Sequence, residues 1–323
     1  LRTIVYTQSR KLTELIALWA ANQSGDFASR ISAYRAGFLA AERRDIESRL
    51  SKGDLLAVIS TSALELGIDI GDLDLCILVG YPGTVVSTWQ RGGRVGRSGQ
   101  DSALILIAGE DALEQFFMRN PQDFINRKPE AAVVNPYNPQ ILAQHLECAA
   151  AELPLKIDKP PANKKYAVKI VQQLEKIGNL LRSADGRELY ARRKNPHRYV
   201  NIRGTGHRFQ IVATHSGKNM GEIDEFRAYR ETHRGAIYLH RGDCYIVDTL
   251  DVNAGTIRVS KAEVDYFTQV RGYKETEILE IYEQKPVWGG TAFTGRLKVT
   301  DQVTEYEIRR IHGKKLINKV CLD

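Results

Sequence analysis

The stretch Leu55-Leu56-Ala57-Val58-Ile59-Ser60-Thr61-Ser62-Ala63-Leu64-Glu65-Leu66-Gly67-Ile68-Asp69-Ile70 decides the fold class of this chain of 323 residues. Its first six residues form an almost wholly apolar run, which predicts a strand buried on both faces. Similar runs occur at residues 73–79 and 103–108, and segments with helical spacing lie between the strands. Such alternation indicates a parallel sheet with right-handed crossovers. We therefore predict an α/β fold over residues 1–130: a RecA-like parallel sheet with helices on both faces.

A glycine-rich segment with several arginines lies between the second and third of these strands: Trp89-Gln90-Arg91-Gly92-Gly93-Arg94-Val95-Gly96-Arg97-Ser98-Gly99. Guanidinium groups carry a permanent charge and a planar donor fork that suits phosphate oxygens. Glycines allow the backbone to approach a ligand closely. A flexible basic surface loop could carry the same R-x-x-R pattern. The position between two core strands favours a phosphate site built on Arg94 and Arg97, because open α/β sheets bind ligands at their strand ends.

The composition limits the classes of protein. An apolar content of 43% supplies core for two or three domains, and the formal charge of +7 makes a polyanion a plausible partner. Four scattered cysteines form no C-x-x-C pair and indicate reduced thiols of a cytosolic protein. No apolar run is long enough to span a membrane. The chain opens on a strand without Met, so we expect an excised part of a cytoplasmic protein, without a targeting signal.

The downstream sequence predicts two further domains. Prolines punctuate a linker after residue 120, and helical patterns at 139–151 and 166–177 precede a hairpin signal with Asp185-Gly186 at its tip. This order predicts a winged-helix domain over residues 131–195, with a simple packing spacer as the alternative. Short alternating strands predict a β-rich accessory domain over residues 196–323, as a small barrel or a partly open sheet.

Four motifs in the first hundred residues resemble, in order and spacing, the C-terminal motor domain of superfamily 2 helicases. They are Ile4-Val5-Tyr6-Thr7-Gln8-Ser9-Arg10, Tyr34-Arg35-Ala36-Gly37-Phe38-Leu39, residues 61–70 and residues 90–97. The wording Y-R-A-G-F, followed by G-Y-P-G-T, most resembles the MrfA/YprA family of DNA-repair helicases and their RecQ-like eukaryotic relatives. The resemblance implies the C-terminal part of an ATP-dependent DNA helicase that moves 3′-to-5′ on single-stranded DNA.

The resemblance also implies a role for each matched residue. Arg94 and Arg97 would act as arginine fingers on the γ-phosphate of ATP, and Gln90 would bridge that phosphate to the partner domain. Gly67 and Asp69 would approach the nucleotide and its ribose. Sugar-phosphate contacts that read no bases would come from a further set of six residues. These six are Ser9, Arg10, Arg35, Gly37, Thr61 and Ser62. For any single member, a purely structural role is the open alternative.

A basic stretch near the hairpin predicts a second nucleic-acid contact. Arg192, Arg193 and Lys194 lie there, with Tyr190 and Tyr199 interleaved. Basic side chains mixed with stacking rings suit a nucleic-acid strand, although a solvated basic face would show the same pattern. Glu231, His233 and His240 could be mistaken for a set of metal ligands. Strand alternation places His240 on one face with Tyr238, and no third ligand is evident. We therefore expect no metal site there.

The chain lacks two parts of a nucleotide motor: a G-x-x-x-x-G-K-[ST] loop and an acidic Walker-B strand. The resemblance implies ATP and Mg²⁺ as cofactors, so we expect an N-terminal RecA-like domain of the same parent protein to hold most of both. We expect this chain alone to be inactive as an ATPase. The expected partner is single-stranded DNA with a duplex junction. The alternative function is a non-motor DNA-binding module, with an active winged helix and a degenerate RecA-like scaffold.

Overall fold

The computed structural model of the protein describes residues 1–65, 73–97, 99–200, 207–311, 313 and 315–322. The chain divides into two compact units. One comprises Leu1–Glu130 together with Gly206–Asp323, and the other comprises Ala131–Thr205. None of the helices in the described ranges is both long enough and apolar enough to cross a membrane.

The first unit contains a five-stranded parallel sheet in the order β2-β3-β1-β4-β5. Its strands are β1 (Thr3–Tyr6), β2 (Ile31–Tyr34), β3 (Ala57–Ser60), β4 (Leu75–Val79) and β5 (Ala103–Ile107). Side chains of the central strands, such as Ile4, Val58 and Leu78, are fully buried. A parallel sheet covered on both faces requires such near-continuous apolar strands. The predicted RecA-like layer is confirmed.

Five helices accompany this sheet: α1 (Arg10–Gln23), α2 (Ala40–Ser51), α3 (Val85–Gly92), α4 (Ala112–Arg119) and α5 (Pro121–Asn126). Polar side chains fix three of their starts. Ser9, Thr84 and Asp111 each accept hydrogen bonds from the first turn of the helix that follows, which satisfies N–H groups that have no partner within the helix. Short 3₁₀ turns occur at Gly25–Arg30 and Ser62–Leu64.

The second unit has the helix, helix, hairpin order of a winged helix, as predicted. It contains α6 (Pro139–Glu152), β6 (Leu155–Lys156), α7 (Lys165–Lys176), β7 (Leu180–Arg182) and β8 (Glu188–Ala191). Its strands pair antiparallel in the order β6-β8-β7. The tip of the hairpin turns at Gly186, whose φ of 73° favours glycine. The apolar faces of the two helices pack on the sheet through Leu146, Ile170 and Leu189.

The remaining strands of the first unit form two antiparallel-rich sheets. The first sheet consists of five strands: β9 (Arg208–Ala213), β10 (Asn219–Asp224), β11 (Ile237–His240), β12 (Asp243–Asp251) and β13 (Thr256–Ala262). One helix, α8 (Glu225–Glu231), lies between β10 and β11 in the chain. The five strands make an open sheet in the order β10-β9-β13-β12-β11. The second sheet consists of β14 (Tyr266–Val287), β15 (Gly290–Arg310) and β16 (Leu316–Cys321). The β-rich fold is confirmed, and of the two predicted forms the open sheet is present.

The sequence patterns underestimated this region in two ways. They gave no strand at Asn219–Asp224 and no helix at Glu225–Glu231. They also predicted a short strand at Thr276–Glu283, whereas β14 begins at Tyr266 and continues to Val287. Most of the hairpin side chains are exposed, so the alternation of buried and exposed residues that marks a strand is weak there.

The β-rich part packs directly on α1 of the RecA-like layer. Leu15 and Trp19 of α1 lie in one apolar cluster with Ile237, Leu239 and Phe267. Gly221 of β10 lies against the backbone oxygen of Gly37, which follows β2. The RecA-like layer and the β-rich part therefore share a core, and a polar network described below runs through the same contact.

Candidate nucleotide and nucleic-acid sites

Two arginines, Arg91 in the last turn of α3 and Arg94 just after it, converge on Glu65. Nε of Arg91 lies 3.0 Å from the Glu65 carboxylate, and both groups are largely buried. Nε of Arg94 donates to the backbone oxygen of Glu65 at 3.1 Å, and the side chain of Arg94 is only 6% exposed. One residue is thus held at its side chain by one arginine and at its backbone by the other. Glu65 immediately precedes the segment that contains Gly67 and Asp69, which lie outside the described residues.

Tyr6, at the end of β1, contacts both the backbone before Glu65 and the side chain of Arg91. Its hydroxyl donates to the backbone oxygen of Leu64 at 2.9 Å, and the guanidinium of Arg91 lies 5.2 Å from its ring centroid. Burial raises the pKa of the Tyr6 hydroxyl, so it stays a neutral donor. The backbone at 64–65 is therefore fixed from β1 and from the α3 turn together.

Arg97 and Gln90 differ from Arg94 in their exposure. Both have exposed side chains, and Nε of Arg97 donates to the backbone oxygen of Gly93 at 3.1 Å. The backbone between the two arginines turns at Gly96, which has a φ of 69° and donates its N–H to Leu73 at 3.1 Å. A Cβ at position 96 would collide with Ser102, so the turn requires glycine. The turn places one arginine inward and the next outward.

Four of the predicted nucleic-acid contacts lie at the ends of two neighbouring strands. Tyr6 of β1 pairs with Ser60 of β3, so the residues that follow each strand meet at one edge of the sheet. Ser9 and Ser62 are exposed there, and Thr61 is half-buried. The Ser9 hydroxyl also accepts from the N–H of Leu12 at 3.1 Å, as the cap of α1. The fourth residue, Arg10, is more enclosed: burial, then repulsion from Arg227, lowers its pKa.

The structure places Arg35 in a buried polar network between the RecA-like layer and the β-rich part. Its side chain is 3% exposed, and Nε lies 2.9 Å from the carboxylate of Glu14, which is 2% exposed. It also donates to the Tyr238 hydroxyl at 3.0 Å and to the backbone oxygen of Leu239 at 2.7 Å. A guanidinium enclosed in this way faces the β-rich part and not a solvent-exposed phosphate. Arg35 is a joint between the two parts of the first unit.

Gly37 also lies in a close contact with the β-rich part. A Cβ at this position would lie 3.2 Å from the backbone oxygen of Glu222 and 3.3 Å from Nη1 of Arg10. The residue is buried, and its backbone contacts Gly221 of β10. The close approach that the sequence suggested is real, but the partner is a strand of the β-rich part.

His240 and Glu42 extend the polar joint. Nε2 of His240 lies 3.2 Å from the Glu42 carboxylate, and its ring packs edge-on against Phe38. Burial, followed by the charge of Arg35, lowers the pKa of His240. A histidine in this setting is neutral near pH 7, and it serves as a hydrogen-bonding partner across the contact.

The predicted basic contact in the winged-helix unit is exposed. Arg192, Arg193 and Lys194 follow β8 and all have exposed side chains. The guanidinium of Arg193 stacks 4.6 Å from the ring centroid of Tyr199 and lies 3.9 Å from the carboxylate of Glu147. This stacking holds one cation in place beside two others.

Comparison with known proteins assigns two segments of the chain. Residues 1–99 match the model of the helicase conserved C-terminal domain, and residues 134–205 match the winged-helix domain of ATP-dependent helicase HRQ1. The crystal structure of helicase MrfA bound to DNA is similar over 100% of this chain and 44% of its own, with 33% identity and a TM-score of 0.80. This chain belongs to the MrfA/YprA family of superfamily 2 helicases.

Curated members of the family agree. YprA of Bacillus subtilis, described as an uncharacterized ATP-dependent helicase, is 37% identical over 88% of this chain and 38% of its own length. The ATP-dependent helicase hrq1 of Schizosaccharomyces pombe is 31% identical over 94% of this chain and 29% of its own length. The chain thus spans about a third of the length of these relatives.

Three residues of the helicase site escaped sequence reasoning. Arg91 lies inside the quoted arginine segment, and its position three residues after Thr88, which is also buried, could have marked it as inward-facing. Glu65 is an acidic residue shortly after a strand, and Glu14 is an acidic residue within a helix of mixed composition. No local signal distinguishes these two, because their partners are 26 and 21 residues away.

Proposed function

We propose that this chain supplies the arginine-finger half of an ATP site and half of the DNA track of a helicase that moves 3′-to-5′ on single-stranded DNA. The observation that supports this most directly is the hydrogen bond from Arg94 to the Glu65 backbone. It ties the arginine turn to the root of the segment with Gly67 and Asp69, which the family resemblance assigns to the nucleotide. A shift of one element therefore moves the other.

The two fingers have different tasks in this proposal. Buried Arg94 fixes the turn to the backbone at Glu65, whereas exposed Arg97 reaches the γ-phosphate of ATP. Gln90 lies one turn earlier, on the exposed side of α3, where it can bridge the phosphate to the N-terminal RecA-like domain. Magnesium neutralises charge on the β- and γ-phosphates in such motors. Gln90, Arg94 and Arg97 are cationic or neutral donors, so the proposal assigns the metal to the other domain.

The DNA track is proposed at the strand-end edge formed by Ser9, Thr61 and Ser62. Hydroxyls and backbone N–H groups there can hold phosphates without reading bases. MrfA, the structural relative, is described as bound to DNA. A second contact, beside a duplex junction, is proposed at Arg192, Arg193 and Lys194. The role in DNA repair that the family resemblance implies belongs to the same proposal.

The proposed cycle follows from these positions. Closure of two RecA-like domains on ATP would bring Arg97 to the γ-phosphate. The same closure would move the strand-end edge relative to the other domain by one step along the DNA. Hydrolysis would allow the two domains to open again, and the strand-end edge would then bind the DNA backbone one step further along. The polar joint at Arg35 would keep the β-rich part fixed to the moving domain.

The test is Arg97→Ala in the full-length parent protein. We expect DNA-stimulated ATP turnover to fall by roughly 10³- to 10⁵-fold, as for other arginine fingers, while affinity for single-stranded DNA stays within a few-fold. Arg119→Ala, at an exposed arginine at the end of α4, is the matched control and should keep turnover. Normal turnover in Arg97→Ala would refute the finger assignment. DNA binding without any turnover in the intact wild-type protein would favour the non-motor module.

A further inference from the structure

The segment that leaves the RecA-like sheet is fastened to the start of the arginine-bearing helix. Glu130 accepts the backbone N–H of Val85 at Oε1 (2.7 Å) and that of Val86 at Oε2 (3.1 Å). These are the first two residues of α3, and such N–H groups have no acceptor within a helix. Thr84 accepts the third, from Ser87, at 3.0 Å. Local capping therefore comes from Thr84, and the other two N–H groups rely on a residue 45 and 44 positions away.

The charge of Glu130 suits this position. The N-terminus of a helix carries positive partial charge, which favours an ionised carboxylate. The hydrogen bond from the Val85 N–H, together with that from Val86 and the nearby charge of Arg127, lowers the pKa of Glu130. The carboxylate is therefore ionised at neutral pH and bridges two adjacent N–H groups through its two oxygens.

A second contact attaches the same segment to the middle of α3. Phe124 of α5 stacks on Trp89, with ring centroids 6.1 Å apart and planes inclined by 24°. Phe124 is itself held by Phe117 and Tyr81, with centroids at 5.2 and 6.0 Å. Trp89 directly precedes Gln90 in the chain. The segment 121–130 thus contacts α3 at two places: at its first turn and at Trp89, the residue before Gln90.

The connection matters because of what lies on each side. Beyond Glu130 the chain enters the unit Ala131–Thr205, which carries the winged helix and its basic residues. Beyond the end of α3 lie Arg94 and Arg97. Helix α3 has eight residues and a length of about 12 Å, so it transmits a displacement at its first turn to its last with little loss.

We propose that Glu130 is a positioning residue that couples the chain leading into the winged helix to the arginine fingers. The coupling rests on the proposed function, since it needs Arg97 to act in ATP hydrolysis. In this proposal, DNA bound by the winged-helix unit changes the positions of Arg94 and Arg97 through the contacts that Glu130 and Phe124 make with α3. ATP turnover then responds to DNA because of these contacts, in addition to the direct track at the strand-end edge.

The first experiment measures DNA-stimulated ATP turnover of Glu130→Ala in the full-length protein. We expect kcat to fall by about ten- to a hundredfold, as misplacement by about 1 Å does, with KM for ATP within about twofold of the wild type. Glu130→Gln keeps one acceptor oxygen and should give an intermediate kcat. Glu110→Ala is the control, because Glu110 is an exposed acid ahead of α4. An unchanged kcat in Glu130→Ala would overturn the proposal.

A double variant separates coupling from simple capping. Thr84→Asp places a carboxylate at the helix cap itself, where it can satisfy the first turn without any link to residue 130. If Glu130 acts by coupling, Thr84→Asp/Glu130→Ala restores the melting temperature and leaves kcat low. Recovery of kcat in the double variant would show capping alone and would refute the coupling.

Arg97→Ala, measured beside these variants, distinguishes failure of the coupling from failure of the proposed function. If Arg97→Ala is inactive and Glu130→Ala is fully active, only the coupling fails. If Arg97→Ala is active, the proposed function itself fails.

Discussion

Replacement of Arg35 by methionine tests whether this residue joins two parts of the fold or contacts DNA. Arg35 and Glu14 are 3% and 2% exposed, and Nε lies 2.9 Å from the carboxylate. Methionine preserves much of the apolar stem but removes the guanidinium. Glu14 then remains buried without its partner, and burial already raises its pKa. The hydrogen bonds to Tyr238 and Leu239 are lost as well.

The size of the effect follows from this burial. Removal of one member of a buried ion pair destabilises a protein by about 3–5 kcal/mol. A domain of this size loses roughly 2–4 °C of melting temperature per kcal/mol. We therefore expect Arg35→Met to lower the melting temperature of the first unit by about 6–20 °C. Replacement of both members, as Glu14→Leu/Arg35→Met, should recover most of the loss, because no uncompensated charge remains.

The assay is urea and thermal unfolding followed by tryptophan fluorescence. Trp19 lies in the apolar cluster between α1 and the β-rich part, so it reports on the affected contact. Arg44→Met, at an exposed arginine of α2, is the control and should change the free energy of unfolding by less than about 0.5 kcal/mol. Wild-type stability in Arg35→Met, combined with weaker DNA binding, would refute the joint and restore the original expectation.

Two further predictions concern the same contact. Burial lowers the pKa of Lys11 to about 8, and its ammonium donates to the backbone oxygen of Thr268. Between pH 8 and 10.5 the unfolded chain holds this proton and the folded chain does not, so wild-type stability should rise with pH by up to about 3 kcal/mol relative to Lys11→Met. Parallel profiles from urea unfolding at pH 7.5 to 10.5 would contradict this. Gly221→Ala should lose at least about 2 kcal/mol, since φ is +147° and the new Cβ meets the Gly37 oxygen. Gly217→Ala, with a φ of +65° and open space, should lose only about 1 kcal/mol in the same urea titration, and equal losses would show that the close contact is unimportant.

Sequence reasoning succeeded where the signal is local. The apolar run ending at Ser60 gives a strand, and Asp185-Gly186 makes the wing turn. Each depends on neighbours within a few residues, which periodicity and turn chemistry describe well. The order of these elements was enough to predict the RecA-like layer and the winged helix. The strand ends at Ser9 and Ser62 then met at one edge because parallel strands align their carboxyl ends.

It failed where partners are far apart in the chain. β10 was missed because its residues pack against the backbone at Gly37, far away in the chain. Arg35 was read as a phosphate ligand from its motif, yet its partners lie 21 and 203 residues away. Nothing within a short window distinguishes an arginine that will be buried from one that will face solvent.

The sequence alone determined the order of the elements in the RecA-like layer and in the winged helix, the arginine turn and the family, because these depend on local patterns. Only the tertiary structure decided how the chemistry is distributed. It turned Arg94 inward onto Glu65, left Arg97 exposed, buried Arg35 and brought Glu130 to the start of α3. The physical reason is that burial is a property of the folded environment: the same guanidinium or carboxylate binds a ligand, bridges a contact or caps a helix according to which distant groups the chain brings beside it.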